Sequence, residues 1–426
     1  MDYQTALFCE FDRYAAESYC AVHGVDPTLN IGDITKADEK VVPDFNVMFG
    51  GSPCQDFSIA GKQGGAAWTC KHCGHVYNPL EAHYDQRDHC PKCGSTEIEK
   101  TRSSLLVEWL RFLREKKPRF AIYENVKNIT GSRFYATFNL FVKELEDYGY
   151  NVYWQVLNAK HYGIPQNRER VYCVIIRKDL DNGKFKFPSP IPLKKALVDM
   201  LEDKVDERYY LSDDKVAAMI TPPPFRQISN TVRTSGRGST DNSAAGMGGG
   251  QTPIAIRPSF RVRKLTQKEC WRLMGFQDQD FERAKSAMNE NIYGGADRSG
   301  SQLYKQAGNS IVVDVLCAIL DELHSAMPYL FEDMTVGSFF SGIGAFEKAL
   351  STFDITDVSD KVNYSDKNDE LKQLGYINDY NGDANRVYDG ETIARALKAE
   401  AGGGGGAKTG WYALRSPEVD HGESQN

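Results

Sequence analysis

Short apolar runs alternate with amphipathic helical stretches through the first half of the chain, and no other feature restricts the fold as much. Thr5 to Cys9 reads as a strand, followed by a helix from about Arg13 to His23. Phe45 to Phe49, Phe120 to Tyr123 and Val171 to Ile176 are further strand-like runs. Leu106, Trp109, Leu110 and Leu113 recur at helical spacing, and Pro118 marks the end of that helix. The pattern predicts an α/β protein on a parallel sheet. Ligands of such sheets bind beyond the carboxyl ends of the strands, so the residues just past each run are the first candidates for chemistry.

From about Phe187 the character changes. Pro188, Pro190, Pro192 and Pro222 to Pro224 punctuate the chain, and Gly, Ser and Thr dominate Ser229 to Thr252, as in a smaller, loop-rich domain. Helical patterning returns with Thr266 to Met274 and Ser310 to Met327. A last strand, Thr335 to Phe340, runs into Ser341-Gly342-Ile343-Gly344 and a helix through Leu350. The remainder includes five consecutive glycines, Gly402 to Gly406, and reads in part as a linker.

Gly342-Ile343-Gly344 is the tight turn of a nucleotide-type site. Alone it is weak, but the chain begins on a strand that ends in Glu10, the acid that usually grips a ribose hydroxyl after such a turn. No glycine turn precedes Glu10; the missing element comes at residue 335 instead.

Gly50-Gly51-Ser52-Pro53-Cys54-Gln55 follows the Phe45 to Phe49 run. A thiol just past a strand end, behind a proline and permissive glycines, is placed to attack a ligand. Lone cysteines are usually buried filler, the reading for Cys9, Cys20, Cys173, Cys270 and Cys317. Glu124 would share the edge with Cys54, although it could equally start a helix. A nucleophile and a carboxylate at one mouth suggest covalent catalysis with proton donation. Arg168 and Arg170, alternating before Val171, share one face of an extended segment. They read either as a solvated strand start or as a cationic clamp.

Cys70-x2-Cys73 and Cys90-x2-Cys93, with sixteen residues between the pairs, form a four-thiolate zinc pattern, each pair followed by a glycine. Four thiolates close the coordination sphere, so the expected zinc is structural, with His75, His83 and His89 as bystanders. Ten cysteines in 426 residues are too sparse for a disulfide scaffold. There is no long apolar span and no charged-then-apolar leader, so a soluble, cytoplasmic chain is the expectation. The net charge of −7 is uneven. Pro222 to Arg272 carries nine Lys/Arg against two Asp/Glu, and Phe353 to Asn426 carries eight against fourteen. The basic block could meet phosphate.

Residues 4–60, 101–178 and 262–350 together resemble the C5-cytosine DNA methyltransferases. The motifs are Gly50-Gly51-Ser52-Pro53-Cys54-Gln55, Glu124-Asn125-Val126, Gln166-Asn167-Arg168-Glu169-Arg170, Gln306-Ala307-Gly308-Asn309-Ser310 and Phe339-Phe340-Ser341-Gly342-Ile343-Gly344. In that family the Phe-x-Gly-x-Gly segment comes first, whereas here it follows the asparagine-bearing helix, so the chain looks circularly permuted. The resemblance implies a Rossmann-like S-adenosylmethionine-dependent methyltransferase sheet, a small recognition domain and a zinc-ribbon insert. The expected division is catalytic 1–66, ribbon 67–100, catalytic 101–186, target recognition 187–261, catalytic 262–352 and a C-terminal extension 353–426.

The resemblance also implies site roles. Phe340, Gly342 and Gly344 would line the donor pocket, with Ile34 and Pro53. Glu10 would hold the ribose hydroxyls, Asp33 would face the adenine amine, Phe11 would stack on the adenine, and Asn309 and Ser310 would complete the pocket. Cys54 would add to C6 of cytosine, Glu124 would protonate or hydrogen-bond N3, Arg168 would hold the ring oxygen, and Arg170 would support the backbone. Gln55 and Ser58 belong to the loop expected to close over a flipped base. Arg226, Arg233, Arg237, Arg257 and Arg261 are candidate contacts to phosphate or guanine. The partner implied is double-stranded DNA, met by a monomer in a restriction-modification or phage self-protection setting. The rivals are an RNA cytosine-5 methyltransferase and a catalytically silent zinc-bearing DNA-binding protein, in which intact Cys54, Glu124 and Arg168 would be unexpected.

Overall fold

A computed structural model describes residues 2–53, 57, 65–212, 214 and 260–352. Beyond these it describes the strands Gln373–Tyr376, Arg386–Asp389, Ala394–Arg395 and Trp411–Arg415. The candidates Cys54, Gln55, Ser58, Arg226, Arg233, Arg237 and Arg257 lie outside the described residues, and Arg261 is described in its backbone alone.

Six strands form the central sheet, in the spatial order Tyr3–Cys9, Met334–Phe339, Val47–Gly50, Phe120–Val126, Glu169–Arg177, Tyr150–Asn158. The first four run parallel. The sheet is mixed and not wholly parallel as expected, because Glu169–Arg177 is antiparallel to both its neighbours. Only ten residues separate Asn158 from Glu169, too few for the crossover a parallel neighbour needs. The consequence is useful. The start of Glu169–Arg177 lies at the same edge as the ends of the parallel strands, with Arg170 opposite Val126.

Both faces of the sheet are covered, so its strands read as continuous apolar runs. Val47, Phe49, Phe120 and Ile122 point into one core, with the helices Val313–Ala326 and Ala345–Thr352. Met48, Ala121 and Tyr123 point into the other, with Leu106–Lys116 and Tyr135–Asp147. The apolar stretch Gly300–Ala326 is mostly buried, in the first of these cores. Extended backbone at Ser310 divides it into Gly300–Asn309 and Val313–Ala326.

The late strand Met334–Phe339 is inserted between Tyr3–Cys9 and Val47–Gly50. It thereby brings the Gly342-Ile343-Gly344 turn to the end of the first strand, which lacks one of its own. Residues 68–70, 76–77 and 98–100 form a separate three-stranded antiparallel sheet around the cysteine pairs.

The C-terminal stretch is more than the linker its glycines suggested. Trp411–Arg415 pairs antiparallel with Phe260–Lys264 and parallel with Arg386–Asp389, which pairs in turn with Gln373–Tyr376. Glycine content hides such strands, because pairing depends on a partner far along the chain.

Candidate active site and cysteine cluster

The chain leaves Val47–Gly50 through a passage that only small residues permit. A Cβ at Gly50 would lie 2.5 Å from Trp109 Nε1, and one at Gly51 would lie 2.9 Å from the Glu124 carbonyl oxygen. Ser52 Oγ and Tyr123 Oη are 2.6 Å apart. Asn125 Nδ2 donates to Ser52 O at 3.2 Å and to Tyr123 Oη at 3.0 Å. The backbone up to Pro53 is thus fixed to the neighbouring strand. Beyond the undescribed Cys54, Asn128 Nδ2 donates to Phe57 O at 2.6 Å, and the buried Phe57 ring packs edge-on against Phe134.

Glu124 lies inside the strand Phe120–Val126, opposite Tyr172, so it caps no helix. It is buried, and Arg170 Nε sits 3.1 Å from its Oε1. Burial raises its carboxyl above the usual range, while the Arg170 and Arg168 charges pull it down. The two arginines take different partners. Arg168 is 3% exposed, and its Nη2 donates to Ser310 O at 2.6 Å and Gly308 O at 3.2 Å. It ties the returning helix to the sheet edge, whereas the carboxylate partner is Arg170. Period-two alternation put both on one face but could not tell which reached the helix.

A second cluster lies at the adjoining strand ends. Glu10 Oε2 accepts from Gly342 N at 2.8 Å and Oε1 from Asp12 N at 2.8 Å. Burial raises the Glu10 carboxyl, opposed by these backbone donors. Ser341 N donates to Cys9 O at 3.2 Å, closing the turn onto the first strand. Phe340 (φ 54°), Gly342 (φ 58°) and Gly344 (φ 77°) all take left-handed backbone. A Cβ at Gly344 would strike the His23 ring, whereas one at Gly342 would meet nothing within 4 Å. The Gly342 face therefore opens on space beside an acidic side chain, which suits a hydroxyl-bearing ligand.

Phe11, next to Glu10, is 79% exposed. Asp33 accepts from Thr35 N and Thr35 Oγ1 at 3.0 and 2.8 Å, and Ile34 is buried. Asn309 is exposed at the end of its helix and Ser310 is buried.

Sequence reading missed the residues that organise these groups. Asn30 Oδ1 accepts from Glu10 N and Gly32 N, and its Nδ2 donates to Glu10 O, all at 3.0 Å. Only its place twenty residues after the acid hinted at this. Tyr123 and Asn125 were hidden inside motifs already noted. Of the scattered cysteines, Cys9, Cys173 and Cys270 are buried as expected, whereas Cys20 and Cys317 are partly buried. Burial pushes the Cys9 and Cys317 thiols up to about 12 and Cys20 to about 11, too high for nucleophiles near neutrality.

Cys70, Cys73, Cys90 and Cys93 bring their sulfurs within 4.8 Å of one another. Two equivalent knuckles build the cluster. Gly74 N donates to Cys70 O and Gly94 N to Cys90 O, with both glycines at positive φ. The Cys70–Cys93 and Cys73–Cys90 sulfur separations are 3.6 and 3.7 Å. Tetrahedral thiolates about 2.3 Å from zinc would be about 3.8 Å apart, so the donor set fits that ion.

The ribbon packs on the helices of the second core. Trp68 and Leu80 are buried there, Asn78 Nδ2 donates to Thr137 Oγ1, and Arg87 pairs with Glu144. Residues 66–100 carry four Lys/Arg against five Asp/Glu before the thiolates are counted. The ribbon therefore carries no excess of cations.

The model of the C-5 cytosine-specific DNA methylase family matches residues 1–71 and 92–325. It passes over the middle of the ribbon and ends before the Phe340–Gly344 turn. An orphan methyltransferase of Bacillus phage SPbeta, M.SPBetaI, is 32% identical over 418 residues, covering 76% of this chain and 92% of that protein. The type II methyltransferase M2.ScrFI of Lactococcus lactis subsp. cremoris is 34% identical over 299 residues, covering 69% and 71%. Among solved structures, the S. pombe Dnmt2 methyltransferase aligns with a TM-score of 0.45 and 16% identity, covering 77% of this chain and 92% of that one.

Proposed function

Since the chain belongs to the C-5 cytosine-specific DNA methylase family, we propose that it methylates C5 of cytosine in double-stranded DNA, through a covalent bond from Cys54 to C6 of a base swung out of the duplex. The observation that carries this reading is the convergence at one sheet edge. The fixed approach Gly51–Pro53 passes over the buried Glu124–Arg170 pair, and the Glu10–Gly342 pair lies at the adjoining strand ends. The names of the phage and restriction-modification relatives favour DNA over RNA.

Cys54 directly follows Pro53, the last residue of the fixed approach, and acts beside Glu124. Its thiolate adds to C6, and the ring's electron density moves towards C5 and N3. Glu124, whose carboxyl burial raises above the usual range, donates to N3 as that charge develops. Arg170 holds the Glu124 carboxylate and faces the ring oxygen, and Arg168 positions the Gly308–Ser310 turn. C5 accepts the methyl group, a base removes the C5 proton, and the C6–S bond breaks to release Cys54.

S-adenosylmethionine, when bound, supplies the electrophilic methyl group. Glu10 would accept its ribose hydroxyls, exposed Phe11 would stack on its adenine, and Asp33, Ile34, Pro53, Phe340, Gly344, Asn309 and Ser310 would line the rest. We take the late strand Met334–Phe339 for the family's first strand, so the chain is circularly permuted. The four cysteines hold a structural zinc.

Incubation with labelled donor and either duplex DNA or tRNA, followed by nucleoside mass spectrometry, tests the proposal. The expected product is 5-methylcytosine in DNA. Methylation of tRNA with DNA untouched would overturn it.

A further inference from the structure

We propose that a cavity beside the start of the helix Gly300–Asn309 binds a small phosphate-bearing anion, at a site separate from the methyl-transfer centre. The cavity measures about 720 Å³, within the range that holds small ligands. Arg208 and Tyr209, just before the loop-rich segment, form one wall, and Lys264, at the end of the strand that follows that segment, forms another. Gly300, Ser301 and Tyr304 of the helix form the third.

Charge sets the class of ligand. The lining residues include six Lys/Arg and four Asp/Glu. Three of the carboxylates are taken. Lys268 lies 3.6 Å from Glu202 and 2.7 Å from Glu282, and Lys285 lies 3.1 Å from Asp297. The fourth, Asp206, meets the Arg208 guanidinium at 3.8 Å with both side chains largely exposed, an arrangement that contributes little. Lys264 makes no ion pair among the described residues. Its Nζ faces two rings instead, 5.4 Å from the centre of Tyr209 and 5.9 Å from that of Tyr304. Arg208 Cζ lies 5.2 Å from the same Tyr209 centre, so two cations share one ring. Burial pulls the Lys264 ammonium below its ordinary range, and the Arg208 charge adds to the pull. An anion between them would relieve both effects.

The helix start adds an independent attraction. Its first turn holds no acid, and its cap residue, Ser299, makes no side-chain cap. Ser299 precedes the lining residue Gly300 and is fully buried, and its Oγ has no hydrogen-bond partner among the described residues. N–H groups at such a helix start favour phosphate. The far end of the same helix carries the Gly308 carbonyl that Arg168 holds, and the eight residues from Gly300 to Gly308 span about 12 Å. The cavity therefore stands apart from the catalytic edge. Lys264 is held inward against two buried rings, which suits a diffusible, multiply charged phosphate compound and not the backbone of a duplex.

The test titrates full-length protein with inorganic pyrophosphate, and separately with ATP, by calorimetry at fixed ionic strength. S-adenosylhomocysteine is present throughout to keep ATP out of the proposed donor pocket. The expected result is one saturable site per chain in the wild type, with affinity lowered at least about tenfold in Lys264→Met and in Arg208→Ala, and pyrophosphate binding unaffected by excess duplex DNA. Arg208 is largely exposed, so Arg208→Ala decides the matter should Lys264→Met fail to fold. Tighter binding of ATP than of pyrophosphate assigns the site to a nucleoside phosphate, and equal binding assigns it to an inorganic one. No saturable heat up to about 10 mM, an affinity unchanged in Arg208→Ala, or displacement of pyrophosphate by duplex DNA overturns the proposal. Failure of the methylation reading leaves the pyrophosphate titration as decisive as before.

Discussion

Gly51→Ala is the sharpest perturbation the geometry offers, because one methyl group would press on the residue that answers the nucleophile. The added Cβ would lie 2.9 Å from the Glu124 carbonyl oxygen and 3.2 Å from its Oε2. Neither contact can be relieved by a surface rotamer, since the first is backbone and the second is the carboxylate paired with Arg170. Relief requires the Gly50–Pro53 backbone to lift by roughly half an ångström, at a cost of about 1–3 kcal/mol for overpacking. Cys54 is three residues further along the chain, so the expected consequence is a displaced thiol. A displacement approaching 1 Å at a reacting atom lowers rate by about a hundredfold. Single-turnover methylation should therefore fall by one to two orders of magnitude, while donor affinity, proposed to depend on Glu10 and the Gly342 turn, stays within about twofold. Rapid-quench kinetics with labelled donor and calorimetric titration separate the two. Wild-type single-turnover rates in Gly51→Ala would refute the claim that this passage aims the thiol.

Arg170→Ala leaves the buried Glu124 carboxylate without its ion-pair partner. It should cost about 3 kcal/mol of stability at neutral pH and lower turnover about a hundredfold, as read by urea unfolding and steady-state kinetics. Burial raises the Glu124 carboxyl and Arg170 lowers it. The stability of its protonated form is fully present below the ordinary glutamate range and is lost as pH rises through the raised value. Removing Arg170 moves that loss to higher pH, so the deficit should shrink in acid; a deficit independent of pH contradicts this. Glu10→Ala removes the acceptor of Gly342 N and should weaken donor binding by at least about tenfold by calorimetry, with unchanged affinity refuting its role. Chelation should release about one zinc per chain and expose the buried Trp68, seen as a red-shifted emission, because structural zinc sites are coupled to folding; a metal-free chain with unshifted emission would exclude a zinc-dependent ribbon.

The strands, most helices and the cysteine knuckles were legible because period-two and period-3.6 patterns and Cys-x2-Cys spacing are local signals. The displaced glycine turn was legible too, through a gap. Glu10 lacked the turn that such an acid follows, and the structure supplies it from Met334–Phe339. Long-range choices were not legible. The antiparallel run of Glu169–Arg177 depends on a short connection, and the separate partners of Arg168 and Arg170 depend on where Ser310 turns. Asn30 sits in an unpatterned loop, and its three hydrogen bonds exist only once Glu10 and Gly32 are brought together. The tail strands failed to register for the same reason, since Trp411–Arg415 finds its partner about 150 residues earlier in the chain.

The central claim is a bond between one sulfur and a pyrimidine carbon, and trapping it tests that directly. A duplex with 5-fluorocytosine at the target cannot lose its C5 substituent as a proton, so the adduct should persist. Incubated with donor, the wild-type chain should gain the mass of the DNA strand plus one methyl group, with the attachment mapped to Cys54, and Cys54→Ala should gain nothing. An adduct that survives in Cys54→Ala, or a wild-type chain that methylates ordinary duplex yet never becomes attached to the fluorinated one, contradicts the account.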